Sequence, residues 1–256
     1  MGRRVICVGA GKGGVGKSTV ALLLALALRS EGRVGLFDFD LYGPNIPAMM
    51  GIEHHSWTRE WTLAQRRQAI RFVPVVRRDL HVVSIGFVLG EDQPLGVDPA
   101  SAAMIARQLL EQVAWPELDY LVVDLPPGTS AVQHTLVRLL RPDGAVVVVT
   151  PQTVAHIDAR KAVQMFRHLR VPVLGAVENM SDAACPHCGQ RVQLFAPAPH
   201  DRSVWALGVD RLARIPFGLT PPQDGAVDLG PEVMKSFAPL AGEVVARLAR
   251  PAGAGP

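Results

Sequence analysis

The sequence predicts an α/β protein: a doubly wound, mostly parallel sheet with helices on both faces. Three observations lead there. Short apolar runs alternate with helical-looking segments over nearly all of the 256 residues. One such run leads through a glycine-rich loop into a helix at residues 5–28. Two further runs end in acids, Asp38 with Asp40 and Asp124, at the strand ends where open α/β sheets bind ligands. Residues 1–250 are expected to form one domain carrying a Cys-x-x-Cys insertion near residues 182–200. The Pro/Gly/Ala tail at 251–256 is expected to fray.

The first strand is expected at residues 5–8 and the first helix at residues 20–28. Between them, Gly11-Lys12-Gly13-Gly14-Val15-Gly16-Lys17-Ser18-Thr19 fits Gly-x-x-x-x-Gly-Lys-Ser/Thr. Glycines let backbone N–H groups curl around a polyphosphate, and the helix N-terminus adds its positive end. Lys17 is placed to reach the β- and γ-phosphates of ATP, and the Ser18 hydroxyl to ligate Mg²⁺. A glycine-rich turn without nucleotide is the plain alternative, and the strand and helix flanks argue against it. Lys12 is unusual, because the chain has only four lysines and two of them lie in this loop.

The second strand, residues 33–39, runs into Asp38-Phe39-Asp40-Leu41-Tyr42-Gly43-Pro44-Asn45. Carboxylates at i and i+2 point the same way, so one can stand near Mg²⁺ while the other orients a water toward the γ-phosphate. From 53 to 79 the pattern degrades, with His54, His55, Trp57, Trp61 and several arginines interleaved. Such a mixture can stack on a single-stranded nucleic acid. It reads better as an excursion whose arginines lie over half-buried indoles.

A strand at 80–85, a loop at 86–99 and a helix at 101–113 are expected next. The apolar strand at 121–124 then ends in Asp124, followed by Pro126-Pro127-Gly128-Thr129, an abrupt turn suited to sensing the γ-phosphate. A strand at 144–150, a helix at 155–169 and a strand at 172–177 continue the alternation. The last helix, residues 231–250, contains Pro239 and few bulky apolar residues, which makes it a poor membrane anchor.

Cys185 and Cys188 form Cys-Pro-His-Cys, and Cys7 is expected in the core of the first strand. Two thiolates at i and i+3 chelate one metal, but zinc and iron–sulfur clusters ordinarily take four protein ligands. A two-fold homodimer would complete the set on its axis. Cys-x-x-Cys by itself serves Zn²⁺, a cluster or a redox disulfide alike.

Composition sets outer limits. Apolar residues at 48% with 19% charged exclude a disordered chain. A net charge of +3 suits an acidic ligand and gives no clustered basic face for duplex DNA, so no nucleic-acid partner is expected. No apolar run reaches the ~18 residues of a membrane span, and three cysteines in this arrangement suit a reducing, cytoplasmic setting.

Taken together, the motifs resemble one family. The loop with its second lysine is similar to the deviant phosphate loop of the ATPases that include MinD, ParA, the nitrogenase iron protein and the Mrp-type carriers. Residues 38–44, Ser84-Ile85-Gly86-Phe87, Leu118-Asp119-Tyr120, residues 124–129, Thr150-Pro151-Gln152, Glu178-Asn179-Met180-Ser181 and Cys-Pro-x-Cys stand in the order seen in Mrp-type iron–sulfur cluster carriers, over residues 4–248. The resemblance implies a homodimeric, slow ATPase that holds a labile [4Fe–4S] cluster between subunits, works with cluster-assembly scaffolds and passes the cluster to apo-proteins. It implies Lys12 acting on the partner's nucleotide, Lys17 and Ser18 on phosphate and Mg²⁺, and Asp40 on the attacking water. It further places Asp38 and Asp124 near the metal, Asn179 on adenine, and Cys185 and Cys188 on the cluster, with Zn²⁺ as the alternative. A MinD- or ParA-like spatial organiser is the competing reading, and it leaves the cysteines unused. The chain departs from the family pattern at Val97-Asp98-Pro99, at Ser130-Ala131 where Gly-Asp is usual, and at Phe195-Ala196-Pro197-Ala198-Pro199. These changes bear on how ATP and cluster are coupled more than on nucleotide binding.

Overall fold

The computed structural model describes residues 3–41, 43–52, 72–87, 98–185, 187–217 and 231–249. Tyr42, the 53–71 part of the Arg/Trp-rich stretch, most of the 86–99 loop, Pro186 and the tail lie outside them.

One nine-stranded sheet organises the molecule. In chain order the strands are β1 (Arg4–Ala10), β2 (Val34–Asp38), β3 (Val75–Arg77), β4 (Leu80–Ser84), β5 (Tyr120–Asp124), β6 (Gly144–Val149), β7 (Val173–Ala184), β8 (Arg191–Val192) and β9 (Arg211–Phe217). They lie in the order β3-β4-β2-β5-β1-β6-β7-β8, and β9 pairs with β7. Among the described strands only β3 and β8 run antiparallel to their neighbours, so the expected mostly parallel sheet is what forms.

Helices cover both faces. The helices are α1 (Lys17–Leu28), α2 (Ile46–Met49), α3 (Pro99–Gln112), α4 (Ala131–Leu140), α5 (Thr153–His168) and α6 (Pro231–Leu248). Along β1, Ile6, Val8 and Ala10 enter one core with α1 and α6, while Val5 and Cys7 enter the other with α3, α4 and α5. This is the alternation of a strand buried on both sides. Residues 20–28 of α1 are buried all round, as an evenly apolar helix must be. Each fully buried Leu or Phe here, such as Leu23 or Phe166, contributes about 1.5–3 kcal/mol by leaving water.

Several boundaries differ from the sequence expectation, each for a local reason. α3 starts at Pro99 rather than 101, because Asp98 accepts from the Ala100 and Ser101 amides and Pro99 occupies the first turn. α4, absent from the sequence expectation, is started by Ser130, whose hydroxyl accepts from Gln133 N at 3.4 Å. Two departures from the family pattern, Asp98 and Ser130, are thus helix caps. The 80–85 strand ends at Ser84, and residues 85–87 form a 3₁₀ turn. The largest difference is β7, which does not stop at residue 177 but continues past Asn179 and Met180 to Ala184.

Candidate functional site

The phosphate loop connects β1 to α1. Gly14 and Gly16 have φ of +77° and +83°, a region that side chains disfavour. A Cβ on Gly16 would also stand 2.1 Å from Asn179 Nδ2. Gly11 answers to packing rather than to phosphate, since a Cβ there would lie 2.1 Å from the Asp158 carbonyl of α5. No side chain caps the start of α1, which leaves its first amides free for an anion.

Lys17 is nearly buried, and its Nζ lies 2.6 Å from Asp124 Oδ1 and 3.1 Å from Asp40 Oδ2. Parallel pairing places Asp38 directly beside Asp124. Three acids therefore surround one ammonium. Burial alone would push the Lys17 pKa down, and the Asp124 and Asp40 carboxylates outweigh it, holding the pKa above its ordinary value. Burial, with the Asp124 charge added, pushes Asp38 up to about 8. Burial likewise raises Asp124, although Lys17 pulls the other way. The raised carboxyl values and the raised lysine value have one origin, an excess of negative charge in a dry site, which one more cation would relieve.

The acids are not equivalent. Both Asp38 oxygens are engaged: Ser84 Oγ donates to Oδ2 at 2.9 Å, Ile46 N to Oδ2 at 3.2 Å and Asp40 N to Oδ1 at 3.2 Å. Asp124 Oδ2 is buried without a hydrogen-bond partner, and the Ser18 hydroxyl bonds the same carboxyl. The donor set fits Mg²⁺, a hard cation that takes oxygen ligands; Asp124 Oδ2 and Ser18 Oγ would hold it.

A cavity of about 420 Å³ opens over the loop, a size usual for a small-molecule site. Lys12, Lys17, Ser18, Thr19, Asp40 and Pro127 line it, along with Asn45, Met49 and Met180, which the sequence did not single out for the pocket. A larger groove of about 650 Å³ lies along α5 beside Arg160, Lys161 and Arg202, and none of these acids lines it. We assign function to the smaller cavity, because it holds the buried charges and the orphaned oxygen. Asn179 stands at its edge and donates from Nδ2 to Val15 O at 2.8 Å, leaving its carbonyl oxygen for a ligand.

The residue after Asn179 is the local anomaly. Met180 sits inside β7 with φ of +55°, and the pairing with β9 loses register between Asn179 and Ala183. The kink turns Asn179 onto the loop and Met180 into the cavity wall. Nothing in the sequence marks it, because Met has no preference for that conformation.

Five residues on, β7 becomes the first arm of a hairpin with β8. Ala183 pairs with Val192 and Ala184 with Arg191; Cys185 N donates to Gln190 O and Gly189 N to Cys185 O, both at 2.8 Å. The His187 and Cys188 amides and the Cys188 thiol hydrogen-bond the Cys185 sulfur, which lowers its pKa. Cys185 is partly exposed and Cys188 exposed, whereas Cys7 is buried and its thiol pushed up by burial. Among the described residues no three His, Cys, Asp or Glu side chains gather as a metal site, so the cysteine pair stands as two ligands.

Comparison with known proteins gives the family. The profile of the family described as ParA: NUBPL iron-transfer P-loop NTPase matches residues 2–245. The iron-sulfur cluster carrier protein of Pseudomonas fragi is 41% identical over 85% of this chain and 74% of its own length. The protein of that name from Escherichia coli K12 is 39% identical over 87% of this chain, which spans only 58% of the relative. A nucleotide-binding protein of Archaeoglobus fulgidus, solved in complex with ADP and with cobalt found, superposes with a TM-score of 0.69 at 32% identity, covering 94% of this chain and 87% of that one. The chain accordingly belongs to the NUBPL iron-transfer family of P-loop NTPases.

Proposed function

We propose that this protein is an ATP-binding, ATP-hydrolysing homodimer that holds a labile [4Fe–4S] cluster on Cys185 and Cys188 of each chain and delivers it to apo-proteins. Cluster-assembly scaffolds would supply the cluster, and the setting would be the cytoplasm. The observation that carries the reading is β7: one strand sets Asn179 on the phosphate loop and Met180 in the wall of the nucleotide cavity, then leads at its end into Cys185 of a thiol pair with amides already aimed at its sulfur. The names of relatives that carry or transfer clusters support the cargo. Among the described residues no helix is long and apolar enough to cross a membrane.

The ionic arrangement gives the hydrolytic site a trigger. Lys17 now bridges Asp40 and Asp124. A triphosphate bound by the loop amides would draw Nζ onto its β- and γ-oxygens. That movement releases Asp40, the residue we assign to orienting the attacking water, and uncovers Asp124 beside Ser18. Mg²⁺ bound there would neutralise charge building on the phosphate oxygens. Asp38, tied to Ser84 and two amides, holds the turn that carries Asp40. Lys12, in the cavity wall, would complete the partner subunit's site, and the free Asn179 oxygen would accept from the adenine amino group.

The deciding experiment is anaerobic reconstitution with iron and sulfide, read by absorbance, iron and sulfide content and native mass, with and without ATP. About four irons per dimer, lost in the Cys185→Ser, Cys188→Ser variant, is the expected result. Protein that takes up zinc but neither iron nor sulfide would favour a structural-zinc dimer and defeat the cluster reading.

A further inference from the structure

The cysteine hairpin has two unlike faces. On one, Asp182 is salt-bridged to Arg191 at 2.8 Å, so the charges there are paired. On the other, Ala183 stands between Val192 of β8 and Phe217 of β9, its register partners on either side. That row is apolar and uncovered: Val192 is 47% exposed and Phe217 54%, and nearby Leu194 is 43% exposed. Three of the seven large hydrophobic side chains exposed among the described residues thus border one short hairpin. Cys185 lies two residues beyond Ala183 and one past the end of β7, where its amide still donates to Gln190 O across the hairpin, so the row leads directly to the thiol pair.

A patch of this kind marks a contact surface, and the thiols say with what. Each chain supplies two soft ligands where four are needed, and the partner that brings two more in the same geometry is a second copy of this chain. An isologous contact sets the row against its own symmetry mate. With no unpaired charge on the row, apolar meets apolar, and water is kept from the sulfurs between. Building on the homodimeric carrier proposed above, we infer that the Val192–Ala183–Phe217 row is the self-complementary seal of the intersubunit metal site, burying itself when the four thiols close on one metal centre.

Co²⁺ added anaerobically is the probe, read by cobalt–thiolate absorption and by native mass, with ADP affinity as the check on folding. Wild type is expected to bind one Co²⁺ per two chains and to become dimeric. Val192→Asp and Phe217→Asp, at exposed positions outside both sites, are expected to weaken Co²⁺ binding about tenfold or more and to stay monomeric, with ADP affinity unchanged. The Met104→Asp control, also at an exposed apolar position, should behave as wild type. In a Phe217→Trp variant, indole emission beyond the wild-type background should shift to the blue when Zn²⁺ is added. Row variants that bind Co²⁺ and dimerise like wild type, or indole emission that does not move, would overturn the seal while leaving the carrier intact, and the row would then serve another protein. Wild type that binds no Co²⁺ at its cysteines, or one per monomer, would remove the shared site itself and the seal with it.

Discussion

The two ends of the functional stretch of β7 solve opposite problems. Near Asn179, the strand borders a site in which three acids and a lysine are buried and held against one another within one chain. Past its end near Cys185, it leads into two thiols at the surface, with two amides and the Cys188 thiol bonding the Cys185 sulfur and no third ligand among the described residues. The first end is closed by its own fold. The second is a half that gains nothing from the monomer, and the pair teaches that mutation should separate stability from function differently at each end.

The largest effect is expected at Lys17. Lys17→Ala strands Asp124 and Asp40 without their shared cation, and removing one partner of a buried ion pair costs about 3–5 kcal/mol. Urea unfolding should show that loss, together with loss of ADP binding in calorimetry. Cys185→Ser at the other end should shift unfolding by no more than about 0.5 kcal/mol, the usual range for a surface change, while abolishing thiolate–metal absorption. Equal destabilisation by the two variants would mean that the hairpin is part of the core after all.

Met180 joins the ends, so it offers a way to sharpen the contrast. Its φ of +55° costs a branched residue more than it costs Gly or Asn. Met180→Val and Met180→Ile should straighten β7, pull Asn179 off Val15 and weaken ADP by about five- to thirty-fold, equivalent to the ~1–2 kcal/mol cost of the left-handed region. Met180→Asn and Met180→Gly keep the backbone and should lose only side-chain contact. The kink explanation does not survive if affinity instead tracks side-chain size, with Val and Ile binding better than Gly. Cobalt affinity measured on the same variants reports whether the kink also aims the hairpin.

How much of this was open to sequence reading follows the range of each interaction. Residues 11–19 and Asp124 were legible because their chemistry is local: a loop, a helix start and a strand end lie within a few residues. β7 beyond residue 177 was not, since Glu178-Asn-Met-Ser-Asp lacks the apolar alternation of a strand; its pairing is fixed by β9, some 35 residues on. β9 was not anticipated either, and two of its arginines, Arg211 and Arg214, pair with buried Glu178. α4 was hidden because its start depends on a single serine cap next to a Pro-Pro-Gly turn. The division of labour among the acids was beyond reach as well, because Ser84, which occupies an oxygen of Asp38, is 46 residues away.

That division gives the third test. In the fold Asp38 holds its proton up to about pH 8, whereas an ordinary aspartate releases it near 3.8. Between those values the native state binds a proton that the unfolded chain does not, so this group's contribution is full below about pH 4 and is lost as pH rises toward about 8. Asp38→Asn keeps the shape without the titration. Urea midpoints at about pH 5 and about pH 9 should therefore differ less in the variant than in wild type. An unchanged pH slope would show that the excess negative charge is relieved elsewhere, at Asp124.

The smallest effect is at the hairpin, where titration concerns reactivity rather than stability. Amides of His187 and Cys188 stabilise the Cys185 thiolate, lowering its pKa from the ordinary 9.0, so it should alkylate at lower pH than a free thiol. Cys7 is shielded by complete burial and should not react until the chain unfolds. Peptide mapping after a brief iodoacetamide pulse at neutral pH should find Cys185 labelled ahead of Cys188 and Cys7 untouched. Replacing His187 by proline removes one of the two amides and should bring Cys185 back toward Cys188, with ADP binding unaltered because Asn179 and Val15 lie at the other end of the strand. Were Cys188 the faster thiol in the native protein, the hairpin amides would not be tuning Cys185, and the thiol pair would have to be organised by the second subunit rather than prepared in advance by the first.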